Sequence, residues 1–171
     1  MQQAPDRQEF DRLMISHLPV ALAFATRLTG SNDEAEELVQ SALLKAARAA
    51  TSFRGESSFK TWFFRIILNS FHDSLAARDI EELPEDMAAR MPSPLAEVVS
   101  KEACDRVTDA IAALPPRQRE VLVLHTYEQM DHAGIAEMLG ISEANVRKNL
   151  QLARDRLRIL LMDYLKEPTR A

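Results

Sequence analysis

The stretch from Asp131 to Arg158 constrains this chain most, because its spacing admits two short-linked helices and little else. Ile135, Ala136 and Leu139 recur at helical spacing. Gly140 follows where a helix must stop, since glycine reaches the left-handed C-cap without steric cost. Ile141 plugs the turn, and Ser142 can cap the next helix through its hydroxyl. In that helix Val146, Leu150, Ala153 and Leu157 form the inner stripe, while Arg147, Lys148, Gln151, Arg154 and Arg158 project from other faces. An apolar inner face with cationic and amide side chains outside suits the second helix of a helix-turn-helix lying in the major groove. Arg and Lys match guanine edges and phosphates there, and Asn and Gln match adenine. Ser142, Asn145, Arg147, Lys148, Gln151 and Arg154 are the candidate DNA contacts, and Arg158 is assigned to phosphate or solvent.

A formal net charge of -5 looks wrong for a polyanion binder. Its distribution resolves the conflict. Residues 1–80 carry 9 basic and 10 acidic side chains, residues 101–171 carry 11 of each, and the excess lies in residues 81–100, with 1 against 5. Residues 144–158 hold five basic side chains and only Asp155 as an acid. Local sign steers a polyanion more than the sum does.

Four glycines, abundant Ala, Leu, Glu and Arg, and no sustained alternation of β-branched residues predict an all-α protein. A hydrophobic fraction of 46% is enough for a core without disulfides, and the single Cys104 cannot form one internally. No signal peptide opens the chain and no apolar run nears the ~20 residues of a membrane span, so a cytoplasmic protein without membrane contact is expected.

Taken in order, Asp6 to His17 can form a helix that Pro19 interrupts, with a second piece running to Leu28. Ser31 and Glu34 form a capping-box pattern ahead of a helix whose first turns hold Asp33, Glu34, Glu36 and Glu37, where the dipole favours anions. Thr51 to Ser58 is a polar break with Gly55 at the turn, and Ser57 or Ser58 caps the next helix. There Phe59, Trp62, Phe63, Ile66, Ile67, Phe71 and Leu75 make an apolar stripe, expected in the core rather than stacked on bases. Residues 79–93, with two prolines and an acidic cluster, read as a linker between two domains. Glu81, Glu82, Glu85 and Asp86 could lie along a basic surface and compete with DNA. Ser93-Pro94 starts a helix that Pro115-Pro116 ends, and a short helix with Val121, Leu122 and Leu124 follows. Asp131 can cap the first helix of the opening unit, and Leu160, Leu161, Met162 and Leu165 should pack back on the domain.

Enzymatic signatures are missing from the sequence. It has no Gly-rich phosphate loop, HExxH, CxxC or GxSxG. His125, His132 and Cys104 match no common zinc spacing, and His72-Asp73, as helix neighbours, point apart. No enzyme activity, catalytic residue, cofactor, metal or small-molecule substrate is therefore expected. On residues alone, a free-standing helix-turn-helix regulator and a helical protein–protein adaptor stay open.

Three further runs carry a resemblance. They are Glu36 to Ala46 (EELVQSALLKA), Phe53 to Trp62 (FRGESSFKTW) with Arg65-Ile66 and Asn69, and Leu114 to Val121 (LPPRQREV). With the helix-turn-helix they resemble the extracytoplasmic-function (ECF) sigma factors over nearly the whole chain. The resemblance implies two small helical domains, 1–79 (sigma region two) and 95–171 (sigma region four), joined by an acidic linker, 80–94. It implies core RNA polymerase, promoter DNA and a cognate anti-sigma factor as partners. Glu36, Glu37, Leu38, Gln40 and Leu43 would grip the polymerase. Arg65, Asn69, His72, Asp73 and Arg78 would read and melt the minus-ten element, with a base-capturing loop at Ala76 to Leu83. The helix-turn-helix would read the minus-thirty-five element. Where many relatives carry arginines, this chain has Ala76-Ala77-Arg78-Asp79, Asn149 and Leu152, which implies a promoter preference of its own.

Overall fold

The computed structural model describes residues 6–81 and 106–166. Among them there are helices and no strands, as an all-α chain requires. The elements are α1 (Arg7–Thr29), α2 (Asn32–Arg48), a 3-10 turn (Ala50–Ser52) and α3 (Phe59–Glu81), then α4 over residues 106–112, α5 (Pro116–Thr126), α6 (His132–Leu139) and α7 (Glu143–Lys166). They fall into two compact units. The first is carried by α2, α3 and most of α1, and the second by α4 to α7 with residues 26–32.

In the first unit α1 is one helix, not two pieces, and it runs straight through Pro19. Proline removes one ladder bond and crowds the carbonyl four residues back. That carbonyl belongs to Ile15, and both Ile15 and Pro19 are exposed, so the loss falls on the solvent side. Phe10 and Met14 before the proline, and Ala21, Phe24 and Ala25 after it, are all buried, so core packing holds both halves in register. The interruption expected from proline is thus overridden by burial on the opposite face.

Aromatic rings supply most of that core. Phe24 stacks on Phe64 at 4.3 Å between centroids, and Phe10 and Phe53 each meet Phe59 edge-on, at 5.5 and 5.4 Å. Edge-on and stacked pairs add to the area they bury. Of the expected α3 stripe, Phe59, Phe63, Ile67 and Phe71 are buried, while Trp62, Ile66 and Leu75 are half-buried. Phe64 and Leu68, outside that stripe, are buried too, so α3 is covered on more than one side. Ser58 rather than Ser57 is the cap, its Oγ accepting from the Thr61 backbone N–H at 3.1 Å.

In the second unit Pro115 and Pro116 do end one helix and begin another, Pro116 sitting in the first turn of α5. Arg119 closes the α4 end by donating to the Leu114 carbonyl (2.9 Å) and the Ala112 carbonyl. Glu120 is 1% exposed, and Arg117 Nη1 donates to its carboxylate at 3.0 Å. A buried carboxylate persists only when compensated in this way. The proposed helix start at Ser93-Pro94, the acidic residues 82–86 and Cys104 lie outside the described residues, as does the rest of the 79–93 linker beyond residue 81. Residues 76–81, expected in a base-capturing loop, form the last turns of α3 instead.

Candidate nucleic-acid interface

The helix-turn-helix is built as its sequence demands. The Asp131 side chain accepts from the Gly134 N–H at 2.8 Å and caps α6. Gly140 adopts φ 63 and ψ 38 at its end, and the Ile141 N–H returns to the Ala136 carbonyl at 3.0 Å. That left-handed closure spends the orphan carbonyls of α6 and turns the chain sharply. Ser142 Oγ then accepts from the Asn145 N–H at 3.2 Å and opens α7. Its hydroxyl is used by the cap. Ile135, Ala136 and Met138 of α6 and Val146, Leu150 and Ala153 of α7 are buried. Leu139 and Leu157, expected with them, are half-buried.

Burial of that stripe fixes what α7 turns outward. Arg147, Gln151, Arg154 and Arg158 follow at i, i+4, i+7 and i+11, which is one ridge of a helix, and all are exposed. Lys148 stands beside it. Arg158, assigned above to phosphate or solvent, projects with the rest of that ridge. Asn145 lies off that ridge, and its carbonyl accepts from Asn149 Nδ2 at 2.8 Å. Glu143 and Arg147 approach at 3.8 Å, a loose and exposed pair that contributes little and that salt screens. Gln151 Nε2 donates to Asp155 Oδ2 at 3.1 Å, and Arg158 Nη2 donates to Asp155 Oδ1 at 2.9 Å. Leu152 is exposed beside them. At the far end of α7, Leu160 and Leu161 are half-buried, but Met162 is 48% exposed and does not pack back. The side chain of Leu165 lies outside the description.

A second ridge runs along α3. Arg65, Asn69, His72 and Ala76 follow the same i, i+4, i+7, i+11 rule, with Asp73 next to it. Arg78 departs from the group, pointing to the α2 side, where Nη2 meets Glu34 Oε2 at 3.1 Å. Asp73 is held too, its Oδ2 receiving Lys45 Nζ at 2.7 Å.

On α2, Glu36, Glu37 and Gln40 are exposed and Leu43 is half-buried. Leu38 corrects the expectation of a surface grip. It is 6% exposed, within the core, and can support a partner surface only from beneath. The apolar residue on the outside is Leu44, 63% exposed, at i+7 from Glu37 and i+4 from Gln40. Helical spacing with Ala35, Val39, Ala42 and Ala46 places Leu38 inside and Leu44 outside.

The rings of His125 and His132, unrelated by any motif spacing, come to 5.3 Å. His125 Nδ1 pairs with the Met130 carbonyl at 3.2 Å, so that nitrogen carries the proton. No group of three metal-ligating side chains occurs among the described residues, and no described helix is long and apolar enough to cross a membrane.

A capped helix-turn-helix with a cationic outer ridge, in a chain with a separate aromatic-cored helical unit, defines a two-unit all-α protein of the helix-turn-helix class. Comparison with known proteins agrees. The family model for sigma-70 region 2 matches residues 13–80, and that for sigma-70, region 4 matches residues 104–157. The ECF RNA polymerase sigma factor SigM of Mycobacterium tuberculosis is 31% identical over 92% of this chain and 80% of its own length. The RNA polymerase sigma-H factor of Pseudomonas aeruginosa is 29% identical over 96% and 92%. Among solved structures, the sigma factor RpoE of Bartonella quintana, crystallised with the anti-sigma factor NepR, gives a TM-score of 0.73 at 27% identity, covering 91% of this chain and 98% of that one. This chain belongs to the ECF RNA polymerase sigma factors.

Proposed function

We propose that this chain joins core RNA polymerase as its promoter-specificity subunit, leaving the chemistry of transcription to the polymerase. The observation that carries this reading is the α7 ridge of Arg147, Gln151, Arg154 and Arg158 on a helix capped and phased by the turn before it. On α2 the exposed Glu36, Glu37, Gln40 and Leu44, with Leu43 at their edge, form the surface that grips the polymerase. On α3, Arg65, Asn69 and His72 face the minus-ten element, while Asp73 and Arg78 hold α3 to α2. Arg147, Lys148, Gln151 and Arg154 read the minus-thirty-five element, with Ser142 and Asn145 contributing at the helix start. The division of labour follows 1–79, an acidic connection at 80–94 and 95–171. In the cytoplasm an anti-sigma factor holds this protein idle, a reading supported by the complex of the Bartonella relative with NepR.

Run-off transcription with purified core polymerase on a library of genomic promoter fragments tests the proposal. Discrete start sites that need this protein are the expected result. DNA binding without initiation would instead favour a free-standing regulator, and protein binding without salt-dependent DNA affinity an adaptor.

A further inference from the structure

Resting on the distal-element reading above, we infer that Asp155 is a positioning residue that commits Gln151 to adenine. A free glutamine is a poor discriminator, because its amide can rotate to offer either end to a base. Here one end is taken. Asp155 Oδ2 receives Gln151 Nε2 at 3.1 Å, and a carboxylate can only accept, so the end facing Asp155 must be the amino group. The carbonyl Oε1 and one amide hydrogen are left for DNA. Adenine presents one donor, N6, and one acceptor, N7, in the major groove and matches that remainder. Guanine presents two acceptors and would meet the carbonyl oxygen with its own O6.

Asp155 is the one acid among five bases between residues 144 and 158, an unfavourable neighbour for phosphates unless compensated. Arg158 Nη2 supplies the compensation at 2.9 Å on the other carboxylate oxygen. The three side chains follow one another at i, i+4 and i+7, so a single helix carries the whole relay and no other element must move. Arg158 therefore acts on specificity through Asp155 rather than by touching a base.

The test uses the protein bound to core polymerase and a promoter library randomised across the distal element. The wild type should enrich adenine at one position, and Gln151→Ala should abolish that preference and no other. Asp155→Ala should relax the same position while the remaining positions keep their bases, and Asp155→Glu, still a pure acceptor, should restore it in part. Replacing that adenine with purine, which lacks the N6 amino group, should weaken the wild-type complex by about fivefold or more and leave Gln151→Ala unchanged. Full adenine preference in Asp155→Ala, loss spread evenly over all positions, or enrichment of another base at the Gln151 position would each overturn the inference. A wild type that selects no distal sequence would instead remove the distal reading on which the inference stands.

Discussion

Lys45 of α2, half-buried, and Asp73 of α3, largely open to solvent, meet at 2.7 Å and join the proposed polymerase-binding helix to the proposed DNA-melting helix. A pair this exposed contributes about 0–1 kcal/mol to stability. Its larger effect is on sign. Asp73 sits next to the ridge of Arg65, Asn69 and His72, where an uncompensated carboxylate would repel a phosphate chain. Lys45→Ala should lower unfolding free energy by less than about 1 kcal/mol yet reduce promoter opening, read by permanganate reactivity of unpaired thymines. Adding Asp73→Asn should restore opening. If the double variant opens no better than Lys45→Ala, the compensation argument fails.

Removing the first cation of the α7 ridge separates base reading from phosphate contact. Arg147→Ala should depress initiation by about fivefold or more at promoters with a matched distal element and spare promoters that lack one. Its partner Glu143 is loose at 3.8 Å, so little internal structure is lost with it. Equal losses on matched and unmatched promoters would assign Arg147 to the backbone.

The two leucines of α2 should behave oppositely. Leu38→Ala, at 6% exposure, empties core volume and should cost about 2–5 kcal/mol in urea denaturation. Leu44→Ala, at 63% exposure, should leave the denaturation midpoint in place and weaken capture by core polymerase in a competition assay. A polymerase affinity unmoved by Leu44→Ala would take that residue out of the contact surface.

Backbone conformation gives a fourth pair of expectations. Gly140 holds φ 63 with open space around it, so Gly140→Ala meets no clash and suffers only the left-handed penalty, about 1–2 kcal/mol. Gln129, between α5 and α6, holds φ 54 without being glycine. Gln129→Gly should therefore stabilise the second unit by up to about 1 kcal/mol. Calorimetric melting of both variants checks the signs, and a destabilised Gln129→Gly would mean that its side chain makes contacts outweighing the strain.

The sequence made the caps and the turn of the helix-turn-helix legible to the residue, though not that Met138 rather than Leu139 is buried. Asp131, Gly140 and Ser142 each do what their side chains can do locally, and caps and turns are local chemistry. The continuous α1 was not legible, because what overrides Pro19 is burial of Phe10, Met14, Ala21 and Phe24 on a core assembled from distant segments. Leu38 was legible as a core residue, since it recurs with Ala35, Val39, Ala42 and Ala46 at helical spacing while Leu44 does not; its place on a polymerase surface came from the resemblance alone. The Gln151–Asp155–Arg158 relay was half visible. Its i, i+4, i+7 spacing is in the sequence, but three charged or polar side chains at that spacing are equally free to face water separately.

The length of α7 has a mechanical meaning. Its 24 residues make a rod about 36 Å long, and a helix of this kind meets base edges with its first turns. Gln151 stands near the limit of that engagement. Ile159 and Met162, both exposed, then stand clear of the double helix. Seated on DNA, the rod would become an outrigger that carries an apolar tip away from the duplex, so whatever touches that tip gains leverage over how the reading end is seated.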